Sequence, residues 1–466
     1  MDENEKLLTR RGILKTVGAG ALGGAAFYGM SRLGFATEKS FAAEAPAPDK
    51  MSRRVNPGNG DSISLLGFGC MRLPMQAKAV SPGGPEIDEA AAARMVDRAI
   101  KQGVNYFDTA YGYHRGASEA VIGKILSAYP RQSFYLATKM PTYLNPTLDQ
   151  AKEIFATQMQ RCRVEYFDYY LLHNIQSVEG YKKIYEENGV LDFLLEQKAA
   201  GRIRNLGWSF HGDTEALEYL LSREQRWDFA LVQFNYHDLM RGYEVKPAQM
   251  RAGAKPPPPA PWYLEKMKES GIPMMIMEPL LGGRLARLNK KTLAILQAER
   301  PQASAASWAF RYAASIPNVL TVLTGMTYME HLEDNLRTFS PLDAFSESEL
   351  TVLKAALDGF LSQANIRCTA CGYCMPCPYG VDIPALFSHY NRCVDDDFIP
   401  TGRESANYEE ARRAYLVGYD RSVPELRQAA RCTDCGQCLP LCPQNIAIPT
   451  EMQRLGKFVE ELKTRV

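Results

Sequence analysis

The sequence has almost no surplus of charge of either sign. Its 54 lysines and arginines nearly balance 53 aspartates and glutamates, which gives a formal net charge of +1. Nucleic acids and anionic membranes attract proteins through clustered positive charge, so this balance argues against both as partners. After residue 45 the sequence also lacks an apolar run of the roughly 20 residues needed to cross a bilayer. The roughly 420 residues that remain suffice for one large domain and a smaller one.

Cysteine, by contrast, is abundant and concentrated near one end. Eight of the eleven cysteines lie in two runs, which read Cys368-x-x-Cys371-x-x-Cys374-x-x-Cys377-Pro378 and Cys432-x-x-Cys435-x-x-Cys438-x-x-x-Cys442-Pro443. Three thiolates spaced by two residues can hold three corners of a cubane iron–sulfur cluster, and in two-cluster ferredoxins the fourth cysteine of each run ligates the other cluster. We therefore predict two [4Fe-4S] clusters, one held by Cys368, Cys371, Cys374 and Cys442 and the other by Cys432, Cys435, Cys438 and Cys377.

Zinc sites and disulfides fit these cysteines less well. A zinc site needs only four ligands, usually two Cys-x-x-Cys pairs or one pair with two histidines. Disulfides need a geometry that closely spaced neighbouring thiols seldom reach. Clusters that only stabilise the fold are a further alternative, which midpoint potentials outside the physiological range would favour. The isolated Cys70 could be reactive, but a cysteine in such a position is more often a small buried residue. Cys162 lies on a predicted helix, and the isolation of Cys393 from both runs argues against a role as a substitute ligand.

The first 45 residues carry the features of an export signal. A twin-arginine signature, Thr9-Arg10-Arg11-Gly12-Ile13-Leu14-Lys15, precedes a weakly apolar stretch at 17–30 and small residues at 40–45 that suit cleavage. A chance Arg-Arg pair in a membrane helix is the alternative, but the stretch is too short and too weakly apolar. The twin-arginine translocase carries folded proteins, so clusters could be inserted before export. We expect a periplasmic or otherwise extracytoplasmic protein, with a linker at residues 46–60.

Between residues 61 and 345, short apolar segments alternate with amphipathic ones. Candidate strands lie at 63–68, 104–107, 134–137, 169–172, 205–208, 231–234, 274–277 and 320–323, and helical patterns lie between them at 90–101, 148–161, 180–199 and 303–314. This alternation predicts a (β/α)8 TIM barrel. The proline-rich stretch at 255–259 predicts a loop before the seventh strand. Residues 346–466 would form a smaller, mostly α-helical, two-cluster ferredoxin-like domain.

Polar residues follow three consecutive strands of the predicted barrel. The second strand runs into Asp108 and Tyr113, the third ends at Lys139, and the fourth ends at His173. In such barrels the chemistry lies at the carboxyl ends of the strands. We expect the Lys139 ammonium to lower the pKa of Tyr113 and Asp108 to hold Lys139 in place. His173 would then orient a substrate carbonyl, while Tyr113 donates a proton as a hydride reaches the carbon.

At these positions the chain resembles the aldo/keto reductase superfamily. The matching residues are Asp108-Thr109-Ala110-x-x-Tyr113, Ser118-Glu119-x-x-x-Gly123, Lys139, His173 and the opening Leu66-Gly67-Phe68-Gly69-x-Met71-Arg72. The family's tyrosine lies five residues after the aspartate, which selects Tyr113 over Tyr111. With the cysteine runs included, the resemblance is to the iron–sulfur subfamily and extends over about residues 61 to 460. It implies that Asp108, Tyr113, Lys139 and His173 form a catalytic tetrad.

The same resemblance implies a nicotinamide dinucleotide, NAD or NADP, bound without a glycine-rich Rossmann motif. The residues expected to contact it are Ser209 and Gln233 at the carboxamide, Gly282 and Gly283 at the pyrophosphate, Thr324 and Gly325 at a phosphate, and Asn335 at the adenine.

Several positions depart from the family pattern. Phe210 replaces an asparagine, and Met277, followed by Glu278, replaces the aromatic residue that stacks on nicotinamide. Gly325 and His331 replace the two cations that commonly clamp a 2′-phosphate. Losing two cations removes most of the charge-assisted preference for NADP over NAD.

These observations predict an exported iron–sulfur oxidoreductase that acts on a small carbonyl or alcohol substrate and relays electrons to or from a redox partner protein. The alternative is an electron-transfer subunit whose barrel is catalytically inactive and serves for docking. The intact tetrad favours the enzyme, and the departures in the cofactor site favour the alternative.

Overall fold

The structure is a computed structural model that describes residues 51–76, 86–223, 227–241, 258–361, 365–400, 402 and 404–464. Eight parallel strands close into a barrel in chain order, with the last strand paired to the first. A hairpin precedes them, formed by β1 (Arg53–Val55) and β2 (Ser62–Ser64), and the barrel strands β3 to β10 are Leu66–Gly69, Tyr106–Asp108, Tyr135–Pro141, Phe167–Ile175, Ile203–Phe210, Phe229–Gln233, Met274–Met277 and Val319–Gly325. The predicted (β/α)8 fold is confirmed.

The strands of this barrel are buried on both faces. All nine residues of β6 are buried, as expected for parallel strands covered by helices outside and by packed side chains within. The interior is filled by a separate set of apolar residues that includes Tyr106, Tyr169 and Phe229. The β1–β2 hairpin lies at the opposite end from the carboxyl ends of the strands, where Asp61 accepts a hydrogen bond of 2.7 Å from the Tyr169 hydroxyl. The carboxyl-end mouth is therefore the one available for a site.

The helices follow the strands and continue into a helical C-terminal region. Helices α1 to α12 are Glu89–Lys101, Ser118–Leu126, Leu148–Cys162, Val178–Tyr181, Val190–Ala199, Thr214–Ser222, Tyr236–Arg241, Ala260–Ser270, Lys290–Glu299, Ala305–Ala314, Met329–Phe339 and Glu347–Leu361, and α13 to α15 are Ile383–Asp395, Tyr408–Ser422 and Ile448–Thr464.

Three segments differ from the sequence-based expectation. The apolar run 63–68 is two strands, β2 and β3, because the chain turns from the hairpin into the barrel at Leu65. Arg53–Val55, expected in a linker, pairs with β2. The predicted helix 180–199 is interrupted, because Gly189 takes a left-handed φ of 68° before α5 begins.

Two separate buried cores mark the two parts of the chain. Helix α12 contributes Leu353 and Leu357 to the barrel core, whereas the second core begins at Ile366 and includes Phe387, Tyr415 and Leu455. The domain boundary expected at residue 345 therefore lies before α12, whereas the break between the two buried cores lies after α12.

The C-terminal region lies on the carboxyl-end mouth of the barrel. The Arg72 guanidinium donates to the Thr369 carbonyl at 2.6 Å, and the Gln444 amide donates to the Gln233 side chain at 3.2 Å. A Cβ atom on Gly282 would lie 2.4 Å from the Thr369 Cα, so the two backbones are in close contact and only glycine fits there. These contacts cover the face where the sequence predicts the active site.

Some predictions fall on residues outside the described ranges. They include the signal segment at 1–45 with Arg10 and Arg11, residues 46–50 of the linker, and residues 255–257 of the proline-rich stretch; these stay predictions. Within the described ranges, no helix has both the length and the apolar character needed to cross a membrane.

Candidate active site

The four predicted catalytic residues come together at the mouth of the barrel. Asp108 is the last residue of β4, Lys139 lies in β5, His173 lies in β6, and Tyr113 begins a short 3-10 turn, Tyr113–Gly116. Parallel pairing sets their relative heights, because Asp108 is opposite Ala137 on β5 and Pro141 is opposite His173 on β6.

Asp108 and Lys139 form a buried ion pair. The Lys139 ammonium donates to Asp108 Oδ1 and to the Thr109 carbonyl, both at 2.6 Å, and the two side chains are 1% and 3% exposed. The same ammonium lies 5.0 Å from the centre of the Tyr113 ring. A desolvated cation is therefore fixed against the predicted proton donor.

The Ser118-Glu119-x-x-x-Gly123 segment supports this arrangement from behind. The Ser118 hydroxyl accepts from Thr109 at 2.9 Å, and Glu119 accepts from Thr138 at 2.7 Å, next to Lys139 in the chain. A Cβ atom on Gly123 would lie 2.5 Å from the Arg161 carbonyl oxygen, so glycine allows α2 and α3 to pack closely. These residues hold the tetrad without touching its reactive atoms.

The expected net lowering of the Tyr113 pKa is wrong for this arrangement. Burial raises the pKa of Tyr113 well above its ordinary value, and Tyr373 and Asp108 raise it further. Burial, together with Lys139, holds the pKa of His173 well below its ordinary value. Both groups are therefore neutral near pH 7, with a protonated phenol and an uncharged imidazole.

Tyr373 is an active-site residue that the sequence did not indicate. It lies between Cys371 and Cys374, yet its hydroxyl is 3.1 Å from His173 Nε2, and it is close enough to Tyr113 to raise the pKa of that residue. No spacing rule connects a cysteine loop with a histidine 200 residues earlier, so only the fold could reveal this contact.

Five of the seven expected cofactor residues line one cavity. The cavity has a volume of about 520 Å³ and extends from Asn335 to Asp108 and Tyr113. The five residues on its wall are Gly282, Gly283, Thr324, Gly325 and Asn335. Its volume is in the range of small-molecule and cofactor sites, so these residues could hold a nucleotide that reaches the tetrad.

Ser209 and Gln233 are not on the wall of this cavity. The Ser209 hydroxyl accepts a hydrogen bond from the Asn174 backbone N–H at 2.7 Å. The Gln233 side chain donates to Asp238 at 3.0 Å and accepts from Gln444 at 3.2 Å. The expected carboxamide-binding groups are thus engaged within the protein, and Gln444 is a second residue that the sequence did not indicate.

The charges along the cavity differ from the family pattern. Carbon atoms of the Arg72 side chain lie against Gly325, where a Cβ atom would be 2.9 Å from Arg72 Cδ. The Arg72 cation is therefore present beside Gly325, the position where the family commonly has a cation of its own. At the Asn335 end, the wall includes the carboxylates of Glu330 and Asp334. Negative charge there opposes a 2′-phosphate.

The cysteines of the two runs form two groups with exchanged members. Burial raises the pKa of Cys368 to about 12 and of Cys371 to about 11, and the nearby Cys442 thiol adds to both shifts. Burial likewise raises the pKa of Cys438 to about 11, with contributions from Cys432, Cys435 and Cys377. Cys442 is therefore near the first run and Cys377 near the second, which is the arrangement that the exchanged ligation requires.

The surroundings of the first group suit an anionic cluster. The half-buried Arg284 has its guanidinium close enough to Asp395, Asp238 and Cys368 for electrostatic interaction. Its Nε atom has no hydrogen-bond partner among the described residues. This cation would also attract an anionic cluster held by the first group. All eleven cysteines are within the described ranges, and none is in a disulfide.

The second group faces a cavity of about 100 Å³. Its wall includes Cys374, Cys377, Cys432, Cys435 and Cys438. No set of three or more histidine, cysteine, aspartate or glutamate side chains is arranged for a single metal ion in the part of the chain that the structure describes. The three isolated cysteines are buried, as expected for Cys70.

Comparison with known proteins extends these observations. A model of the aldo/keto reductase family matches residues 65–358, and a model of the 4Fe-4S dicluster domain matches residues 367–447. Among curated relatives, an uncharacterized oxidoreductase of Bacillus subtilis (strain 168), YqkF, is 24% identical over 65% of this chain and 96% of its own length. An NADH-specific methylglyoxal reductase of Escherichia coli (strain K12) is 24% identical over 61% of this chain and 92% of its own length.

Solved structures agree on the fold. A thermostable aldo-keto reductase, Tm1743, superposes with a TM-score of 0.51 at 23% identity and covers 66% of this chain and 100% of its own. The holo form of an aldo-keto reductase from Bacillus halodurans gives 0.50 at 21% identity, over 66% and 96%. With the barrel, the tetrad at its mouth and a family match over more than half of the sequence, this chain belongs to the aldo/keto reductase family and carries a 4Fe-4S dicluster domain after its barrel.

Proposed function

We propose that this protein interconverts a carbonyl and an alcohol at the mouth of the barrel and exchanges the electrons with two [4Fe-4S] clusters. The observation that carries the proposal is the contact of Tyr373 with His173 at 3.1 Å. Because cysteines 371 and 374 flank Tyr373, a cluster on them is adjacent to the catalytic groups. Electrons would then have a short path between the barrel and the cluster.

Each member of the tetrad has a distinct role in this reaction. Tyr113 donates the proton, since its raised pKa keeps the hydroxyl protonated at neutral pH. The Lys139 ammonium stabilises the phenolate that remains, and Asp108 fixes the ammonium at 2.6 Å. Neutral His173 binds the carbonyl oxygen and orients it.

The organic cofactor in this proposal is a nicotinamide nucleotide, which supplies or accepts a hydride when bound. Gly282, Gly283, Thr324, Gly325 and Asn335 would hold it along the cavity that ends at the tetrad. The carboxylates of Glu330 and Asp334 favour NAD over NADP. The relative named as NADH-specific is in keeping with this preference.

The two clusters would be held by the exchanged cysteine sets. The first set, with Cys371 and Cys374, is on the barrel side, and the second includes the exposed Cys435. The second cluster would therefore be the one that exchanges electrons with a redox partner protein.

Export belongs to the same proposal and rests on the twin-arginine signature at Arg10 and Arg11. Free nicotinamide nucleotides are not expected outside the cytoplasm. The nucleotide would therefore be loaded before export and recycled in place through the clusters. Extraction of anaerobically purified protein tests this, because iron and sulfide without an organic cofactor would contradict it.

A second candidate is an electron-transfer subunit with an inactive barrel. Two observations favour it: Tyr373 is hydrogen-bonded to His173, and Gln444 is hydrogen-bonded to Gln233. In that case the barrel mouth is only a docking surface for the dicluster domain.

Substitution of Tyr113 by phenylalanine separates the candidates. With methylglyoxal as the probe and NADH as the reductant, Tyr113→Phe should lower kcat by about 10²–10⁴-fold with unchanged iron and sulfide content. Tyr111→Phe is the matched control, because Tyr111 packs against Arg161 outside the tetrad. Electron transfer to a dye through the clusters that continues unchanged, with no Tyr113-dependent turnover, would favour the inactive barrel.

A further inference from the structure

The position of Tyr373 imitates a bound substrate. In the proposed reaction the substrate oxygen is bound by Tyr113 and by His173. The Tyr373 hydroxyl already occupies that oxygen subsite, since it is 3.1 Å from His173 Nε2 and Tyr373 shares a cavity wall with Tyr113. A carbonyl oxygen can enter only after this hydroxyl leaves.

The ring of Tyr373 is also held in a defined slot. It lies along the Tyr143 ring, with 6.1 Å between the centres and 31° between the planes, and its centre is 6.1 Å from that of His173, edge to face. The slot therefore accommodates a six-membered ring with an oxygen on the carbon nearest the tetrad. An open-chain molecule would fill the same space only after losing the freedom of several rotatable bonds.

A larger cavity adjoins the slot and gives it an entrance. Its volume is about 1430 Å³, and Tyr113, Tyr143 and Tyr373 are on its wall together with Asn174 and Gln176. This space can receive both the displaced tyrosine and the remainder of a substrate. Tyr113 is also on the wall of the nucleotide cavity, so the two spaces meet at the proton donor.

From these contacts we propose that the substrate is a cyclic ketone or the corresponding cyclic secondary alcohol, and that it binds by displacing Tyr373 from its slot. The inference rests on the proposed function. In the reduction, the carbon–oxygen π bond breaks, the carbon gains a hydride from the reduced nicotinamide nucleotide, and the oxygen gains a proton from Tyr113. In the oxidation the same atoms move in reverse. Tyr373 acts as a specificity-determining residue, because a substrate must replace both its ring and its oxygen.

Displacement also connects the substrate to the dicluster domain. Tyr373 is one residue from Cys374 and two from Cys371, so rotation of its side chain out of the slot changes the surroundings of two predicted cluster ligands. The reduced cluster should therefore sense a ligand that enters the slot, with no turnover required.

Binding to the full-length, cluster-loaded protein under anaerobic conditions tests the proposal. The probes are phenol, which copies the tyrosine side chain, cyclohexanone, and the open-chain 2-hexanone, measured by calorimetry. In Tyr373→Ala, phenol and cyclohexanone should bind about tenfold more tightly than in the wild type, and 2-hexanone should bind at least several-fold more weakly than cyclohexanone. Tyr379→Ala, which removes an exposed tyrosine near Cys377, should leave all three affinities at wild-type values.

Each contrary outcome overturns a stated part of the proposal. If cyclohexanone and 2-hexanone bind Tyr373→Ala with equal affinity, the preference for a ring is contradicted. If cyclohexanone binds Tyr373→Ala no more tightly than it binds the wild type, the displacement of Tyr373 is contradicted. If Tyr373→Ala fails to load its clusters, Tyr373→Phe replaces it, because it keeps the ring and loses only the hydroxyl. Cyclohexanone should then gain about threefold to tenfold in affinity, and an unchanged affinity would refute the competition.

A second measurement follows the cluster itself. The electron paramagnetic resonance spectrum of the reduced wild-type protein should change when cyclohexanone saturates the slot, and an unchanged spectrum would contradict displacement of Tyr373 beside the cluster. Neither measurement depends on turnover, so failure here is distinct from failure of the proposed function, which Tyr113→Phe tests.

Discussion

The buried ion pair of Asp108 and Lys139 allows a quantitative test of how the site is held. Lys139→Met removes the ammonium and keeps most of the side-chain volume. Asp108 then loses its 2.6 Å partner at Oδ1, and its Oδ2 has no hydrogen-bond partner among the described residues. Removing one partner of a buried ion pair costs about 3–5 kcal/mol, so we expect the free energy of unfolding of the barrel to fall by that amount.

The double variant Asp108→Leu/Lys139→Met distinguishes the loss of the ion pair from the cost of leaving the Asp108 charge buried and unpaired. Apolar residues of similar volume often replace a buried ion pair at little cost, so the double variant should unfold within about 1–2 kcal/mol of the wild type. Both variants should lose activity, because each lacks the cation beside Tyr113. Stability would then recover in the double variant while catalysis does not.

The chain offers separate probes for its two parts. All four tryptophans, at positions 208, 227, 262 and 308, are in the barrel, so their fluorescence in an anaerobic urea titration reports barrel unfolding. Cluster absorbance, followed in the same titration, reports the dicluster domain. The urea dependence of the unfolding free energy should be unchanged in Lys139→Met, which would show that the variant lowers stability without altering the unfolded surface.

The pH dependence of the unfolding free energy tests independently whether the loss of stability in Lys139→Met comes from a charged Asp108. Burial raises the pKa of Asp108 in the folded protein, whereas Lys139 lowers it. Without Lys139 the folded pKa rises further above the unfolded value, so the folded state binds more protons between the two values. Stability therefore falls as the pH rises through that window, and Lys139→Met should be less destabilised at pH 5 than at pH 8. A loss below about 1 kcal/mol, or a loss that is larger at pH 5, would refute the assignment of a buried, charge-paired carboxylate.

Three further predictions concern the reaction and its cofactors. The pKa of His173 is lowered by burial and by Lys139 and that of Tyr113 is raised by burial, so kcat/KM for carbonyl reduction should be flat between about pH 6 and pH 9; a midpoint near pH 7 in a rate profile would contradict this. Cys442→Ser should lose about half of the bound iron while Cys393→Ser retains all of it, and equal losses by iron analysis would contradict the exchanged ligation. Glu330→Lys should tighten NADPH binding several-fold relative to NADH in a fluorescence titration, and an unchanged ratio would show that this carboxylate does not set the cofactor preference.

Much of the barrel is readable from the sequence, and the reason is physical. Parallel strands that are buried on both faces produce continuous apolar runs, so β6 and β9 are evident from residue type alone. The tetrad is evident because polar residues at three consecutive strand ends have few structural reasons to be there. The break between β2 and β3 is not evident, because Leu65 is as apolar as its neighbours and only the turn out of the hairpin separates the two strands.

Contacts between the two parts of the chain could not be predicted in this way. The hydrogen bonds from Tyr373 to His173 and from Gln444 to Gln233 join residues about 200 positions apart. Periodicity reports which face of an element is buried, and cysteine spacing reports a cluster, but neither indicates how a second domain is oriented on the first. The predicted roles of Ser209 and Gln233 rest on resemblance to other barrels, and in this chain both side chains are engaged inside the protein.

Two of the departures from the family pattern in the cofactor site lie beside this docking contact. Glu278, which follows the position of the missing stacking aromatic, accepts a hydrogen bond from the Gly282 backbone and interacts electrostatically with Arg72 and with Cys371. Arg72 in turn packs against Gly325 and donates to the Thr369 carbonyl at 2.6 Å. Glu278 and Gly325 therefore lie where the dicluster domain is seated on the barrel, whereas Phe210 packs against Trp208 and Tyr263 within the barrel. An inactive barrel would be free to lose the tetrad as well. The intact Asp108–Lys139 pair beside these changes therefore supports the proposed enzyme over a barrel used only for docking.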